Sequence, residues 1–197
     1  MNEKEVIEAC TAKGMIPFFC DVTDDSTART REFLAMAVVE RSRHLALFID
    51  SKGGACEHAL ALYDWIKLLP RPVAGIVAGR CWSAAILVLQ ACSPRLATKN
   101  SRFLLHYPKA DFRFSVAEGE RLTRRWEKEL RYGRGLNDRM LEILATRANK
   151  SKDEIALLWR NGEELEEVLW ADEAREVGLI DEVIETLPFP FPLDASK

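Results

Sequence analysis

Short apolar runs alternate along this chain with longer segments whose apolar residues recur at helical spacing. Five runs have the length and composition of buried strands. They lie at residues 15–22, 45–49, 73–77, 103–107 and 182–184. Three segments between them have the period of helices, at residues 29–41, 55–69 and 84–91. Such alternation is typical of βαβ units around a largely parallel sheet, so the predicted fold class is α/β.

The second half of the chain carries a different pattern. Residues 117–148 are rich in charge, with apolar side chains such as Trp126 and Leu130 at helical spacing. They predict one long amphipathic helix, for which Gly133 and Gly135 are the points of possible interruption. Two shorter helices are predicted at 153–159 and 172–177.

The pattern predicts one main domain. It covers residues 15–186, after a short N-terminal segment at 1–14 and before a proline-rich C-terminal tail at 187–197. The prolines of the tail favour an extended arm.

Composition narrows the classes of partner. The 197 residues carry 28 basic and 31 acidic side chains, a balance that gives no electrostatic reason to expect nucleic acid or an anionic membrane. Five cysteines, an odd number without a C-x-x-C pair, indicate reduced thiols. The charged N-terminus lacks a secretory pattern, and the longest apolar stretch is too short to span a bilayer. We therefore expect a cytoplasmic protein with no nucleic-acid or membrane partner, no cofactor and no metal.

Ser83 is the first candidate for chemistry. It follows a strand through a glycine-containing turn and immediately precedes a predicted helix. A hydroxyl there is held on a fixed backbone, beside N–H groups that can stabilise an anion. Serine is also a preferred helix N-cap, so position alone leaves both a nucleophile and a cap open.

His106 and the pair Gly53-Gly54 are the next candidates. His106 ends an apolar strand, and histidine is the side chain best suited to take and return a proton near neutral pH, although a core histidine bonded to backbone is the alternative. The glycine pair lies between a strand and a helix, where it permits positive φ and close approach of a substrate to free N–H groups. A simple turn explains the pair equally well.

Four short blocks occur in order along the chain. They are F-I-D-S-K-G-G at 48–54, G-R-C-W-S-A-A at 79–85, N-S-R-F-L-L-H-Y-P at 100–108 and A-D-E-A-R-E-V-G-L-I-D at 171–181. They resemble the stretches I-N-S-P-G-G, G-Q-A-A-S-M-G, N-S-R-x-M-I-H-Q-P and S-A-x-E-A-x-E-Y-G-L-I-D of the ClpP serine-protease family. Their order and spacing are nearly those of the family, so the resemblance covers roughly residues 15–184.

The resemblance implies a ClpP/crotonase-type fold of stacked βαβ units with a protruding handle helix at 117–148. It implies a Ser-His-acid triad that hydrolyses bonds in peptides or unfolded proteins, with Ser83 as nucleophile and His106 as general base. The matching oxyanion-hole donors are the backbone N–H groups of Gly53 and Ala84. The resemblance further implies a ring-like homo-oligomer, since rings of family members pair through their handle helices.

The triad acid is harder to place. The family has an aspartate about five residues before the last block, whereas this chain has none between Asp153 and Asp172. Counting back from the last block gives Glu166, whereas counting forward from Ile155 gives a position near Gly162. The competing residues are Glu163, Glu164 and Glu167. A solvated acidic run without a catalytic role is the other interpretation.

Other departures bear on activity. Trp82 replaces an alanine beside the nucleophile and either narrows the substrate groove or packs beneath it, and Lys52 replaces a proline before the glycine pair. Cys81 is a second possible nucleophile, which we expect to point elsewhere on the turn. The family segment that helps to couple an ATP-dependent unfoldase is missing or reduced to residues 1–14, which leaves docking of a Clp-type ATPase open.

Three functions therefore remain in view. The main hypothesis is a ClpP-like serine peptidase. The alternative is a catalytically inactive ClpP-like subunit that assembles or binds peptides. Crotonase-type acyl-CoA chemistry on the same fold is disfavoured, because the blocks around Ser83 and His106 match the peptidase pattern.

Overall fold

The computed structural model describes residues 2–106, 119–158 and 168–188. Its strands are β1 (Met15–Phe18), β2 (Ala46–Ser51), β3 (Ala74–Trp82), β4 (Arg95–Thr98), β5 (Arg102–Leu104), β6 (Leu169–Trp170) and β7 (Glu182–Ile184). Its helices are α1 (Glu3–Ala12), α2 (Asp24–Val39), α3 (Cys56–Leu68), α4 (Ala84–Gln90), α5 (Gly119–Ala148), α6 (Lys152–Leu157) and α7 (Ala171–Glu176). The predicted α/β class is confirmed.

The sheet is mostly parallel and branches at β3. The strand order β1-β2-β3-β4-β7 forms one parallel path. The first part of β3 pairs with β4, whereas its last three residues pair with β5, and β6 joins β5 in the antiparallel direction. The carboxyl ends of β2, β3 and β5 therefore meet at one edge of the sheet.

The core lies between the sheet and its helices. Every residue of α4 is buried, as its alanine and leucine content predicts. The C-terminal part of α5 packs on α4 and α6 through Met140 and Leu144. By contrast, all ten residues from Thr123 to Tyr132 are exposed. In the described parts of the chain, none of the helices combines the length and the apolar character needed to cross a bilayer.

Several boundaries differ from the sequence prediction. The helix α5 is continuous through Gly133 and Gly135. The strand β3 runs through residues 79–82, where the sequence predicts a glycine-containing turn, because residues 80–82 pair with β5. The helix α1 was not predicted, although the side chains of Asn2 and Glu5 form a capping box at its start.

Arg95 joins three parts of the core. The residue is 5% exposed, and its side chain donates hydrogen bonds to Asp181, to Gln90 Oε1 (2.6 Å) and to the Gly178 carbonyl (2.9 Å). Asp181 Oδ2 also accepts the Arg95 backbone N–H at 2.7 Å. Desolvation raises the pKa of Asp181, but the hydrogen bonds and charge of Arg95 outweigh it and lower that pKa. The pair therefore links β4 and α4 to the segment before β7.

The variant Asp181→Asn is expected to lower the free energy of unfolding by about 1–3 kcal/mol at pH 7, because Arg95 keeps its burial and loses its charged acceptor. The pKa of Asp181 is lowered on folding, so this stabilisation is complete above the unfolded pKa, about 3.9, and is lost as pH falls through the folded value. Urea titrations at neutral and strongly acidic pH test this. The variant and the native chain should converge in acid.

Asp172→Asn is the matched control. Asp172 Oδ1 lies 3.7 Å from Arg175 Nη2, and both side chains are at least half exposed. Such a surface pair contributes about 0–1 kcal/mol. Equal losses in the two variants would contradict the role assigned to the Arg95–Asp181 pair.

Candidate active site

Ser83 lies at the junction of β3 and α4 in an unusual backbone conformation. Its φ is 51° and its ψ is −126°. A non-glycine residue at positive φ is strained by roughly 1–3 kcal/mol and tends to occur at functional sites. The Ser83 side chain makes no cap hydrogen bond to α4, and N-cap residues usually have extended φ and ψ. The geometry is therefore that of a serine displayed on a sharp strand-to-helix turn.

Main-chain hydrogen bonds fix this turn. The Ser83 N–H donates to the Leu104 carbonyl at 2.7 Å, and the Ser83 carbonyl accepts the Ile86 N–H at 3.0 Å. The first bond continues the β3–β5 ladder one residue past Trp82, which stands opposite Leu104. Ser83 is thereby attached to the strand that leads to His106.

His106 leaves the same edge of the sheet as Ser83. It is half-buried and follows Leu104, the last residue of β5, by two positions. Adjacent strands lie about 4.8 Å apart, and the parallel register sets Trp82 beside Leu104. The two candidate residues are thus brought to neighbouring strand ends.

The loop at Gly53-Gly54 packs directly against the nucleophile turn. Gly53 has a φ of +89°. A β-carbon at Gly53 would lie 2.8 Å from Ser83 Cβ, 3.0 Å from the Ala84 nitrogen and 2.5 Å from the Trp82 carbonyl oxygen. The Val22 N–H donates to the Gly53 carbonyl at 2.7 Å and holds the loop from its other side. This position therefore requires glycine for both its φ and its contacts.

The two candidate oxyanion donors lie close to Ser83 but differ in the hydrogen bonding of their N–H groups. Ala84 begins α4, and the first N–H groups of a helix have no partner within the helix. The Gly53 N–H, by contrast, donates to Ser51 Oγ at 3.1 Å, in a buried position. An oxyanion bound by both amides must replace or share that bond.

Cys81 lacks the exposure that a nucleophilic thiol needs. Its side chain is fully buried, and burial raises the pKa of its thiol well above the usual value. A reactive cysteine needs the opposite, an accessible thiolate. The expectation that Cys81 points elsewhere on the turn agrees with this burial.

Trp82 packs beside the nucleophile. It is half-buried, and the Arg80 guanidinium carbon lies 5.9 Å from the centroid of its ring. Its buried Nε1 has no hydrogen-bond partner among the described residues.

An ion pair that the sequence did not predict lies next to the site. Arg80 Nε is 2.8 Å from Asp50 Oδ1, and Arg80 Nη2 is 3.2 Å from Asp50 Oδ2. The hydrogen bonds from Arg80 lower the pKa of Asp50. The sequence carried one signal for this pair, namely that both residues depart from the family stretches. Asp50 stands where I-N-S-P-G-G has asparagine, and Arg80 stands where G-Q-A-A-S-M-G has glutamine.

The candidate acids lie outside the described residues. They are Glu163, Glu164, Glu166 and Glu167. The assignment of a carboxylate to His106 therefore stays a prediction.

Comparison with known proteins gives consistent results. A family model described as Clp protease matches residues 2–187. The ATP-dependent Clp protease proteolytic subunit 2 of Frankia casuarinae is 33% identical over 178 residues, which cover 88% of this chain and 77% of that protein. Subunit 1 of Rhodococcus jostii is 29% identical over 174 residues, which cover 82% of this chain and 71% of that protein.

A solved structure shows the same fold. A point mutant of ClpP1 from Listeria monocytogenes superposes with a TM-score of 0.76 at 19% identity, covering 92% of this chain and 96% of that one. The expected ClpP-type arrangement of strands and helices is therefore confirmed.

Proposed function

Because this chain belongs to the Clp protease family, we propose that it is a serine peptidase that cleaves peptides or unfolded proteins. Ser83 is the nucleophile, His106 the general base and Glu166 the carboxylate that orients the imidazole. One observation carries the proposal: Ser83 has a strained backbone and a hydroxyl that does not cap the helix behind it. A serine that served only as a cap would show the reverse.

The proposed reaction has two stages. His106 takes the Ser83 hydroxyl proton as Oγ attacks the carbonyl carbon, and the N–H groups of Gly53 and Ala84 stabilise the negative oxygen. The peptide C–N bond then breaks, and His106 returns the proton to the leaving amine. Water, activated by His106, hydrolyses the acyl ester and restores the Ser83 hydroxyl.

A catalytically silent subunit is the second candidate. The hydrogen bond from the Gly53 N–H to Ser51 Oγ favours it, because it occupies one of the two proposed oxyanion donors. In that case the chain would assemble or bind peptides with the same turn and loop, without cleaving them.

Labelling with a fluorophosphonate probe separates the two functions. The peptidase proposal expects a covalent adduct located at Ser83 by mass spectrometry. Absence of an adduct on folded protein would reject the peptidase and support the silent subunit. Slower labelling of Glu166→Gln than of Glu163→Gln supports the assignment of the acid, and equal rates would reject it.

We also propose that the chain forms a ring-like homo-oligomer in the cytoplasm. Support comes from α5, whose exposed stretch from Thr123 to Tyr132 contains two large apolar side chains on one helical face. They are Trp126, 47% exposed, and Leu130, 38% exposed, one helical turn apart. Exposed apolar side chains aligned on one helix face are typical of protein contacts.

Leu130→Glu is expected to weaken this assembly by about tenfold or more, because a carboxylate would be buried against an apolar partner. Sedimentation velocity over a range of protein concentrations measures the change. Lys128→Glu is the control, since residue 128 lies about 200° around the helix from residue 130. An unchanged assembly of Leu130→Glu, or equal weakening in both variants, would contradict the role of this face.

A further inference from the structure

The strands β2 and β3 change register beside the candidate site. Ile49 stands opposite Val77 and Ser51 opposite Cys81, so Asp50 alone faces the three residues 78–80. Such an irregularity leaves main-chain groups of the longer strand outside the regular ladder. One of them is satisfied by a side chain, because Asp50 Oδ1 accepts the Arg80 backbone N–H at 2.9 Å.

The same carboxylate binds the Arg80 side chain through two further hydrogen bonds, so backbone and guanidinium are held together. Room for the carboxylate comes from Gly79, which has a φ of +144°. A β-carbon at Gly79 would lie 2.8 Å from Asp50 Cγ. The pair is therefore fitted into the bulge, with the side chains of Arg80 and Asp50 31% and 33% exposed.

The position of this pair along the chain is informative. Asp50 precedes Gly53 by three residues, and Arg80 precedes Ser83 by three residues. The pair thus joins the two segments just before one becomes the candidate oxyanion loop and the other the nucleophile turn. Gly53 and Ser83 are in contact at the far ends of these segments.

We propose that Asp50 and Arg80 are positioning residues that set the spacing between the Gly53 amide and Ser83. This inference rests on the proposed peptidase function. The quoted family stretches have asparagine and glutamine at these positions, so an ion pair here replaces two neutral amides. Bidentate ion pairs of arginine and carboxylate are stronger and more directional than neutral hydrogen bonds.

Lys52 removes one restraint from the same loop. It stands where the family stretch has a proline, and proline fixes φ whereas lysine does not. The ion pair restrains the same loop from its start. Misplacing reacting groups by about 1 Å can lower a rate about a hundredfold, so the restraint bears directly on catalysis.

The test uses Asp50→Asn, Arg80→Gln and the double variant. Each single variant should lower kcat for a fluorogenic peptide and the rate of fluorophosphonate labelling by about tenfold to a hundredfold, with KM nearly unchanged. The double variant should recover most of the loss, because two neutral amides can hydrogen-bond to each other. Asp138→Asn is the control, since it removes an exposed 2.7 Å ion pair with Lys152 at the junction of α5 and α6.

The outcomes are distinguishable. If the native protein is not labelled at all, the peptidase function fails and this inference fails with it. If the native protein reacts and the single variants react equally fast, only the positioning role is overturned. The same holds if the double variant shows no recovery, or if the losses follow melting temperature. Should Asp50→Asn not fold, Arg80→Lys carries the same expectation, because it keeps the charge and loses the bidentate geometry.

Discussion

Replacement of Ser83 by alanine is expected to lower peptide hydrolysis by more than about 10⁴-fold, the scale of loss when a serine nucleophile is removed. The fold should remain intact, since the Ser83 hydroxyl does not cap α4 and the main-chain bonds of the turn stay available. Steady-state hydrolysis of a fluorogenic peptide and thermal melting measure the two effects. Retention of more than about a tenth of the activity would exclude Ser83 as the nucleophile.

Ser151→Ala is the complementary control. Ser151 is the N-cap of α6, and its Oγ accepts the Glu154 N–H at 3.2 Å. Loss of this cap should lower the free energy of unfolding by about 1 kcal/mol and leave hydrolysis unchanged. Ser83→Ala should therefore lower the activity and keep the stability, whereas Ser151→Ala should lower the stability and keep the activity.

Gly53→Ala is expected to lower hydrolysis by about 10²–10³-fold, the loss that follows removal of one oxyanion donor. The new methyl group would lie 2.5 Å from the Trp82 carbonyl oxygen, a main-chain atom that cannot rotate away, and the φ of +89° adds strain. The loop must therefore move away from Ser83. The hydrolysis rate and the rate of fluorophosphonate labelling should fall together.

Gly133→Ala provides the matched glycine control. A β-carbon at Gly133 meets nothing within 4 Å, and the residue lies inside a helix. Alanine should stabilise that helix by roughly 0.5–1 kcal/mol without changing the rate of hydrolysis. Full activity of Gly53→Ala would show that the loop is not part of the reaction site.

The sequence predicted the architecture more accurately than the ends of the elements. Alternating periodicity indicated βαβ units because buried parallel strands and their covering helices leave different spacings of apolar residues. The end of β3 could not be predicted in this way. Residues 80–82 are strand because they pair with β5, a contact between segments about twenty residues apart. The start of α1 was readable in its capping box, and the sequence prediction missed that signal.

For the candidate site, the sequence identified residue types and missed conformations. The blocks placed Ser83, Gly53 and His106 at strand ends, which the structure brings to one edge of the sheet. The positive φ of Ser83 and the bond from the Gly53 amide to Ser51 depend on neighbouring segments and have no local signal. Asp50 and Arg80 depart from the family stretches, but nothing local predicts their contact, because they lie thirty positions apart and meet at the register shift.

The helix α5 has a consequence for how the order of the chain depends on protein concentration. Its 30 residues extend about 45 Å, and all ten residues from Thr123 to Tyr132 are exposed, although Tyr132 Oη donates a hydrogen bond to Glu57 Oε1 at 2.9 Å. On the proposed assembly, another copy covers the exposed apolar surface of Trp126 and Leu130. Part of the free energy that keeps the helix ordered then comes from association between copies, and this part increases with protein concentration. Dilution would then disorder the exposed part of α5 before it disorders the sheet that carries Ser83.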